Sequence, residues 1–233
     1  MDISVVIPCY NESRDIVSTI REVDNFLKSK NWQYEIIIVD DGSQDQTAGL
    51  AKTTGAKVLQ NEKNRGKGYS VKRGALASSG NWVLFLDADL STPIEELNKA
   101  EQYFASHDII IGSRTADDAT IRQAQSLPKI FAGQAGNWFI RFALGLKIED
   151  TQCGFKLFSR KTLGVFEKQT VDRWGFDFEL LLIAKKYGYK IKEMGVVWVN
   201  DPDSKVTFSG YLRTLGEVLK VKVNDLLGKY KVI

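Results

Sequence analysis

Histidine and cysteine are scarce in this sequence. Its 233 residues include one histidine, His107, and two cysteines, Cys9 and Cys153. A single histidine excludes hydrolysis by a Ser-His pair of the usual kind unless His107 itself is the catalytic base. It also argues against a zinc site. Two cysteines fit neither a metal motif nor a disulfide framework, so a reducing compartment is expected.

A large excess of one charge and long apolar runs are also missing. The formal net charge of +3 is too small to indicate nucleic-acid binding. No uncharged apolar run approaches the roughly 18 residues that a spanning helix needs, and no signal segment precedes the first strand-like run. With 43% apolar residues, the chain is expected to fold as one soluble domain, or as one domain with a small extension.

The stretch from Trp82 to Pro93 is the feature around which the rest is organised. A strand-like apolar run over 82–86 ends in Asp87 and Asp89, and helix-start signals follow at 92–95. Ligands of open parallel α/β sheets bind at the carboxyl ends of the strands. Such an acid pair can hold a divalent cation, and through it a diphosphate. A helix-capping turn with a solvated acid pair explains the same residues equally well.

Strand-like runs alternate with helical segments throughout the first half, at 3–8, 35–40, 56–60, 82–86 and 108–112. This alternation predicts an α/β fold with a doubly wound, mostly parallel sheet and helices on both faces. The last of these strands ends at Arg114 and is expected beside the strand of the acid pair.

Two loops of the first half are also candidates for binding. The second run closes on Asp40 and Asp41, a pair that turn formation alone explains less well than a single acid. Ser43 and Gln46 predict a capping box for the helix that follows. The third run leads into a loop at 61–68 that contains Gly66-Lys67-Gly68. That loop is either a place for phosphate oxygens or a flexible surface segment.

The second half contains an apolar segment over 130–146, a helix that opens at Asp177 and Glu179, and a strand over 191–199. Acids at a helix start are often only partners of the helix dipole. From residue 208 onward, seven apolar residues fall on one helical face: Phe208, Leu212, Leu215, Leu219, Val223, Leu226 and Tyr230.

Five basic residues lie off that apolar face: Arg213, Lys220, Lys222, Lys229 and Lys231. A basic amphipathic helix at a chain end can rest on an anionic membrane or fold back onto its domain. We therefore expect a domain over 1–207 and a terminal helix over 208–233, which is either part of that domain or a membrane-surface contact.

Several stretches together resemble the family 2 glycosyltransferases, which have the GT-A fold. In the first half they are Val5-Val6-Ile7-Pro8-Cys9-Tyr10-Asn11-Glu12, Val39-Asp40-Asp41-Gly42-Ser43-Gln44-Asp45, Asn64-Arg65-Gly66-Lys67-Gly68, Asp87-Ala88-Asp89 and Gly112-Ser113-Arg114. In the second half, the stretches over 150–158 and 173–181, with Trp198 and Ser204-Lys205, resemble the branches that transfer glucose or mannose to dolichyl phosphate. Mannose synthases carry a glutamine where this chain has Ser91. Whether the protein supplies a third ligand to the metal therefore stays open.

The resemblance implies a role for each matching residue. In the donor site, it implies that nucleoside, diphosphate and metal contacts come from Pro8, Tyr10, Glu12, Asp40, Asp41, Gly66, Lys67, Asp87, Ala88, Asp89 and Lys205. Asp89 would be the more direct ligand of Mg²⁺ or Mn²⁺, assisted by Asp87. Arg114 would hold the acceptor phosphate, with Lys129 or Arg122 as a second cation.

The activity implied is inverting transfer of a hexose, foremost glucose from UDP-glucose, onto a polyprenyl phosphate at the cytoplasmic face of a membrane. An acceptor monophosphate is largely dianionic at neutral pH and needs little help from a general base. Three alternatives stay open. They are transfer of mannose from GDP-mannose, transfer to a soluble hydroxyl acceptor with Asp177 as base, and a non-catalytic nucleotide-binding module.

Overall fold

The computed structural model describes residues 1–122, 127–199 and 208–231; at 127–132, 208, 209, 211 and 212 it describes the backbone alone. Nine strands are found in these ranges: β1 (Ile3–Cys9), β2 (Tyr34–Asp40), β3 (Lys57–Gln60), β4 (Trp82–Leu86), β5 (Ile109–Ser113), β6 (Thr120–Ile121), β7 (Phe155–Ser159), β8 (Ile191–Gly195) and β9 (Val197–Trp198). Eight α-helices accompany them: α1 (Ile16–Ser29), α2 (Thr47–Lys52), α3 (Lys67–Leu76), α4 (Leu97–Ala100), α5 (Leu127–Leu144), α6 (Gly164–Lys168), α7 (Phe176–Lys186) and α8 (Phe208–Leu226).

Seven strands form one sheet in the order β3-β2-β1-β4-β7-β5-β8, and β6 pairs with β9 in a separate parallel ribbon. All neighbours in the large sheet are parallel except β7, which is antiparallel to both β4 and β5. The predicted mostly parallel sheet is therefore confirmed. The expectation that β5 lies next to β4 was wrong, because β7 is inserted between them.

The direction of β7 decides what lies beside the acid pair. Because β7 is antiparallel to β4, its first residue, Phe155, pairs with Leu86 at the carboxyl end of β4. The polar loop over 149–154 therefore lies at the same edge as Asp87 and Asp89. A parallel strand would have delivered this loop to the opposite edge.

Both faces of the sheet are covered, as the alternation of strands and helices predicted. Along β4, Val83 and Phe85 face the core that packs against α3, α5, α6, α7 and α8. Leu84 and Leu86 face the other core, beneath α1, α2 and α4. Each fully buried aliphatic or aromatic side chain of this kind contributes about 1.5–3 kcal/mol, and this packing fixes the strand end that carries the acids.

The single strand predicted over 191–199 is two strands, which is a correction. After β8, the Val196 amide donates to the Ser113 carbonyl oxygen (3.1 Å), and its own carbonyl accepts from the Thr120 amide (3.0 Å). The chain thus leaves the large sheet at Val196 and continues as β9 beside β6. This switch brings Trp198 to the vicinity of Arg114.

The C-terminal helix α8 packs on the domain mainly through residues outside the predicted apolar face, although Tyr230, the last residue of that face, is buried in the core just after the helix. Among the described side chains, Val218, Val221 and Asn224 are buried. Leu219 and Leu226, which belong to the predicted face, are 61% and 75% exposed. No helix in the described ranges is long and apolar enough to cross a bilayer.

Candidate active site

Asp87 and Asp89 lie in a tight turn directly after β4. The Leu90 amide donates to the Asp87 carbonyl oxygen (3.2 Å), and the Ser91 amide donates to Oδ1 of Asp89 (2.9 Å). Leu90 adopts a left-handed backbone (φ 48°), which costs a leucine free energy and is tolerated where the surrounding structure fixes it. Gly154 lies against the Asp87 carboxylate, so closely that a Cβ there would be 2.0 Å from Oδ2.

Two lysines face this turn from neighbouring elements. Lys67 Nζ, from the first residue of α3, lies 2.6 Å from Asp87 Oδ1. Lys156 Nζ, from β7, lies 2.5 Å from Asp177 Oδ1 and also donates to the Cys153 carbonyl oxygen. Both members of the Lys156–Asp177 pair are buried. The site therefore contains alternating positive and negative charges at one sheet edge.

Burial and neighbouring charge shift the pKa values of these groups. Burial alone would lower the pKa of Lys67, but Asp87 and Asp177 attract its ammonium and raise it. Loss of water in the cleft, and then the charge of Asp87, raise the pKa of Asp89 although part of its side chain is exposed. Burial likewise raises the pKa of Asp177, an effect that Lys156 and Lys67 oppose.

The acid pair fits a hard divalent cation. Asp87 Oδ1 is buried, and among the described residues its close polar contact is the ion pair with Lys67 at 2.6 Å. Carboxylate oxygens are the ligands that Mg²⁺ prefers, usually one or two together with substrate phosphates and water. The described residues contain no cluster of three or more metal-ligating side chains. Within the described residues, this turn therefore offers a cation two protein carboxylates.

The other acid pair, at the end of β2, is fully enclosed. Asp41 Oδ1 accepts from Asn61 Nδ2 (2.7 Å) and the Arg65 amide (2.9 Å), and its Oδ2 accepts from the Gly66 amide (2.7 Å). Asp40 is also buried, and its Oδ2 accepts from the Ser43 amide. Asp41 thus fixes the loop that carries Lys67.

Gly66 and Gly68 are required by close packing. Gly66 has φ 109°, and a Cβ on it would be 2.4 Å from the Asp172 carbonyl oxygen. A Cβ on Gly68 would be 2.6 Å from that of Phe176. The Tyr69 amide also donates to the Asp172 carbonyl oxygen (2.9 Å). This loop is therefore packed on the segment before α7, which argues against the flexible-segment alternative.

The remaining donor-site candidates surround these loops. Pro8 is buried within β1, and Tyr10 and Glu12 follow it at the same sheet edge, each partly buried. The Glu12 amide donates to Thr47 Oγ1 (2.8 Å). Ala88 lies in the turn between the two acids, and its carbonyl oxygen accepts from Thr19 Oγ1 (2.8 Å).

Arg114 is held by Asp150 in a bidentate ion pair. Its Nε donates to Asp150 Oδ2 (2.7 Å) and its Nη2 to Oδ1 (2.9 Å), while its amide also donates to Oδ2. Burial alone would raise the pKa of Asp150, but the charge and hydrogen bonds of Arg114 lower it. Within the described ranges, Arg114 Nη1 has no hydrogen bond, and the side chain is 34% exposed. One edge of the guanidinium therefore stays available to a ligand.

The other predicted cations are not brought to this edge by described contacts. Lys129 lies on α5, but its side chain is outside the described residues, and Lys205 lies outside them altogether. Arg122 is exposed at the end of the small ribbon, where its amide donates to the Trp198 carbonyl oxygen (3.0 Å).

Four residues of this edge were missed as individual candidates: Asp150, Gly154, Lys156 and Trp174. Lys156 had a usable signal, since a lone lysine between Phe155 and Leu157 in a strand requires a buried counter-charge. Trp174 had none, because only the fold brings its ring to within 5.2 Å of Lys67 Nζ.

Comparison with known proteins agrees with this geometry. The family model described as glycosyl transferase family 2 matches residues 4–165. A dolichyl-phosphate beta-glucosyltransferase of Dictyostelium discoideum is 33% identical over 99% of this chain and 76% of its own length. The proteins of the same name from Drosophila melanogaster and Homo sapiens are 33% and 31% identical, and the matches cover 100% and 99% of this chain and 78% of each relative.

Solved structures share the fold at lower identity. Glucosyl-3-phosphoglycerate synthase from Mycobacterium tuberculosis, crystallised with Mn²⁺, UDP-glucose and phosphoglyceric acid, superposes with a TM-score of 0.71 at 19% identity. The match covers 95% of this chain and 80% of that one. Mannosyl-3-phosphoglycerate synthase from Rubrobacter xylanophilus gives 0.71 at 18% identity, over 98% and 75% of the two chains.

These matches agree with the architecture of the sheet. The fold is that of the GT-A glycosyltransferases. This chain belongs to glycosyl transferase family 2 and is a glycosyltransferase.

Proposed function

We propose that this enzyme transfers glucose from UDP-glucose to a polyprenyl phosphate with inversion, using Mg²⁺ or Mn²⁺. One observation carries the proposal: the acid pair after β4 and the half-exposed Arg114 lie at the same sheet edge, linked through the loop over 149–154. The names of the relatives that match nearly the whole chain support the choice of glucose and of a dolichyl-type acceptor.

On the donor side, Asp87 and Asp89 would hold the divalent cation. Bound there, the cation would stabilise the charge that develops on the leaving diphosphate. The packed loop around Gly66 places Lys67 beside Asp87. That position suits a second positive charge near the leaving group.

On the acceptor side, Arg114 would bind the lipid phosphate through Nη1. Asp150 holds the guanidinium on its Nε and Nη2 edge, which fixes its direction and leaves the other edge for the phosphate. Asp177 is buried against Lys156, so we propose that it positions the charges of the site. A dianionic phosphate attacks without a base.

A product assay tests the reaction. UDP-glucose, with a polyprenyl phosphate and Mn²⁺, is expected to give a glucolipid at a much higher rate than GDP-mannose does. Product from GDP-mannose but not from UDP-glucose would overturn the assignment of the transferred sugar. Glucosylation of a soluble alcohol without any lipid product would overturn the assignment of the acceptor. Nucleotide binding without any product would favour a non-catalytic module.

Arg114→Ala separates the two substrates. We expect transfer to fall while the affinity for UDP-glucose stays near that of the wild type, because Arg114 serves the acceptor. Arg21→Ala, which removes an exposed arginine on α1, is the matched control. A large loss of donor affinity in Arg114→Ala would show that this arginine binds the donor.

We further propose that α5 and α8 attach the enzyme to the cytoplasmic face of a membrane. Trp138 and Phe142 on α5 are 63% and 76% exposed, and their rings stack at 5.5 Å. The exposed apolar face of α8 carries Leu219 and Leu226, and α5 contacts α8. Lysines flank this apolar surface, and each can contribute about 1 kcal/mol at an anionic leaflet.

Hydrogen bonds connect both helices to the site. Asn137 on α5 accepts from Thr151 Oγ1 (2.9 Å), next to the Asp150 that holds Arg114. Glu217 on α8 accepts from the Gly175 amide (2.6 Å), next to Trp174. A membrane beneath this surface would therefore present a lipid phosphate close to Arg114.

Co-sedimentation with anionic vesicles tests the attachment. Trp138→Ser with Phe142→Ser should reduce vesicle binding, whereas Leu76→Ser, at an exposed leucine on α3, should not. The change of Lys220, Lys222, Lys229 and Lys231 to glutamine should weaken binding most at low salt. Lys220 also donates to the Thr170 carbonyl oxygen, so its loss is checked by thermal unfolding. Equal partition of all variants would refute the attachment.

A further inference from the structure

Lys67 reaches the site from the N-terminus of α3 with few fixed contacts. Its ammonium lies 2.6 Å from Asp87 Oδ1 and within 5.1 and 5.2 Å of the rings of Phe85 and Trp174. Aromatic faces attract an ammonium group without fixing its direction. The position of Lys67 Nζ therefore depends mainly on one carboxylate.

Lys67 is held by fewer hydrogen-bond acceptors than the neighbouring lysine of the site, Lys156. Lys156 Nζ donates hydrogen bonds to two acceptors, Asp177 Oδ1 and the Cys153 carbonyl oxygen, and it is fully buried. Among the described residues, Lys67 Nζ has one such partner, Asp87 Oδ1, with which it makes an ion pair. Asp177 already has Lys156, so its charge does not require Lys67. Of the two lysines, Lys67 is the one that can change partner at small cost.

We propose that Lys67 competes with the divalent cation for Asp87 and, when it releases Asp87, binds the diphosphate of the donor. Two positive groups on one carboxylate repel each other, so Lys67 weakens binding of the cation alone. The negative diphosphate removes this conflict, because Lys67 then has an anion of its own at the same edge. The cation would therefore bind mainly together with the nucleotide sugar. The diphosphate part of this inference rests on the proposed function, while the competition for Asp87 does not.

Mn²⁺ binding to the protein without nucleotide, measured by electron paramagnetic resonance, tests the competition. In Lys67→Met we expect Mn²⁺ to bind tighter by a factor on the order of ten, since removing one unit charge near the cation relieves a repulsion of that size. Lys67→Arg keeps the charge and should stay close to the wild type. Lys52→Met, at an exposed lysine on α2, makes the same change in net charge and should leave Mn²⁺ affinity unchanged.

The second measurement is UDP binding in the presence of saturating Mn²⁺, by titration calorimetry. Lys67→Met should weaken UDP binding by a factor on the order of ten, which is opposite in sign to its effect on Mn²⁺ alone. If Lys67 only held Asp87 in place, both affinities would fall. Mn²⁺ affinity in Lys67→Met that is equal to or lower than in the wild type would overturn the competition.

Two additions keep the result interpretable. Thermal unfolding checks that each variant is folded, and if Lys67→Met is not, Lys67→Gln replaces it in both measurements. In an Asp87→Asn background, Lys67→Met should tighten Mn²⁺ binding less than it does in the wild type, because the competition for the shared carboxylate is gone and only the repulsion between the two positive groups is left; a tightening as large as in the wild-type background would also overturn the proposal. A wrong assignment of the nucleotide would change the UDP measurement and leave the Mn²⁺ measurement intact.

Discussion

Two parallel strands of this sheet, β2 and β4, each end in a pair of carboxylates, and the fold uses the two pairs differently. Asp41 is buried, and both of its oxygens accept hydrogen bonds from the loop over 61–66. Asp87 and Asp89 remain open to the cleft, and Asp87 faces a lysine. The first pair stabilises the loop beside the site, whereas the second can take a ligand. What distinguishes Asp41 from Asp87 is the number of hydrogen-bond donors that the described chain supplies to its carboxylate; Asp40 is buried like Asp41, but its Oδ1 has no described hydrogen bond.

The largest effect is expected at the open pair, with Asp89→Asn. Transfer should fall by about 10²–10³-fold, because on the proposed function the cation would lose its more direct ligand and the diphosphate charge would be less stabilised. The melting temperature should not change, since the only described hydrogen bonds of the Asp89 side chain are with Ser91 in a partly exposed turn. Initial rates and thermal unfolding would be measured together.

Asp117→Asn, at an exposed acid with no role in the site, is the control for this experiment. Full activity of Asp89→Asn, or of the wild-type enzyme in excess chelator, would remove the metal from the mechanism. A large drop in the melting temperature of Asp89→Asn would instead show that the open pair stabilises the fold, as the enclosed pair does.

A smaller loss of transfer activity is expected from Gly154→Ala, because the new side chain would displace the Asp87 carboxylate. The new Cβ would lie 2.0 Å from Asp87 Oδ2, so the carboxylate must turn or the loop must shift. Displacements of about 1 Å in a reacting site can reduce rates by about 10²-fold. Gly164→Ala is the control, because nothing lies within 4 Å of its Cβ position. Wild-type rates in Gly154→Ala would show that the position of Asp87 is not critical.

Asp41→Asn tests the enclosed pair and should lower the free energy of unfolding. An amide in place of the carboxylate turns one of its two acceptors into a donor, so at least one of the Asn61, Arg65 and Gly66 donors loses its partner. Leaving a buried polar group unsatisfied costs about 1–3 kcal/mol. Urea unfolding would measure this, with Asp117→Asn again as the control. An unchanged free energy of unfolding together with a large loss of nucleotide affinity would assign Asp41 to the nucleoside, as the family resemblance implies.

The sequence predicted the first half of the fold well because its signals are local. Short apolar runs predicted β1, β2 and β4, the last two of which end in acids, and the alternation with helices predicted the doubly wound sheet. The insertion of β7 between β4 and β5 could not be predicted, since nothing local in Phe155–Ser159 specifies an antiparallel neighbour. The pairs Arg114–Asp150 and Lys156–Asp177 depend on that insertion, so the charge pairs beside the acids could be identified only in the structure.

The predicted capping box at Ser43 and Gln46 was wrong, for a physical reason that lies beside the enclosed pair. Ser43 Oγ accepts from the Asn11 amide (2.9 Å), and the start of α2 has no capping hydrogen bond from Gln46. Asp45 Oδ1 instead accepts from the Thr47 amide (3.0 Å), the first residue of α2. A partner 32 residues away in sequence outcompeted the local motif for the serine.

The smallest predicted effect follows from that correction. Burial opposes ionisation of Asp45, but hydrogen bonds from Thr47 and then Ser13 lower its pKa to about 2. A lowered pKa in the folded state adds stability above the unfolded pKa of about 3.9, and this stability is lost as pH falls toward about 2. Because Asp45 is exposed, solvent screening limits the gain to at most about 1 kcal/mol. Urea unfolding of the wild type and Asp45→Asn should therefore differ at pH 6, differ less at pH 3 and converge near pH 2. A difference that stays constant over this range would mean that the carboxylate charge of Asp45 contributes nothing, and that only the shape of the side chain holds the start of α2.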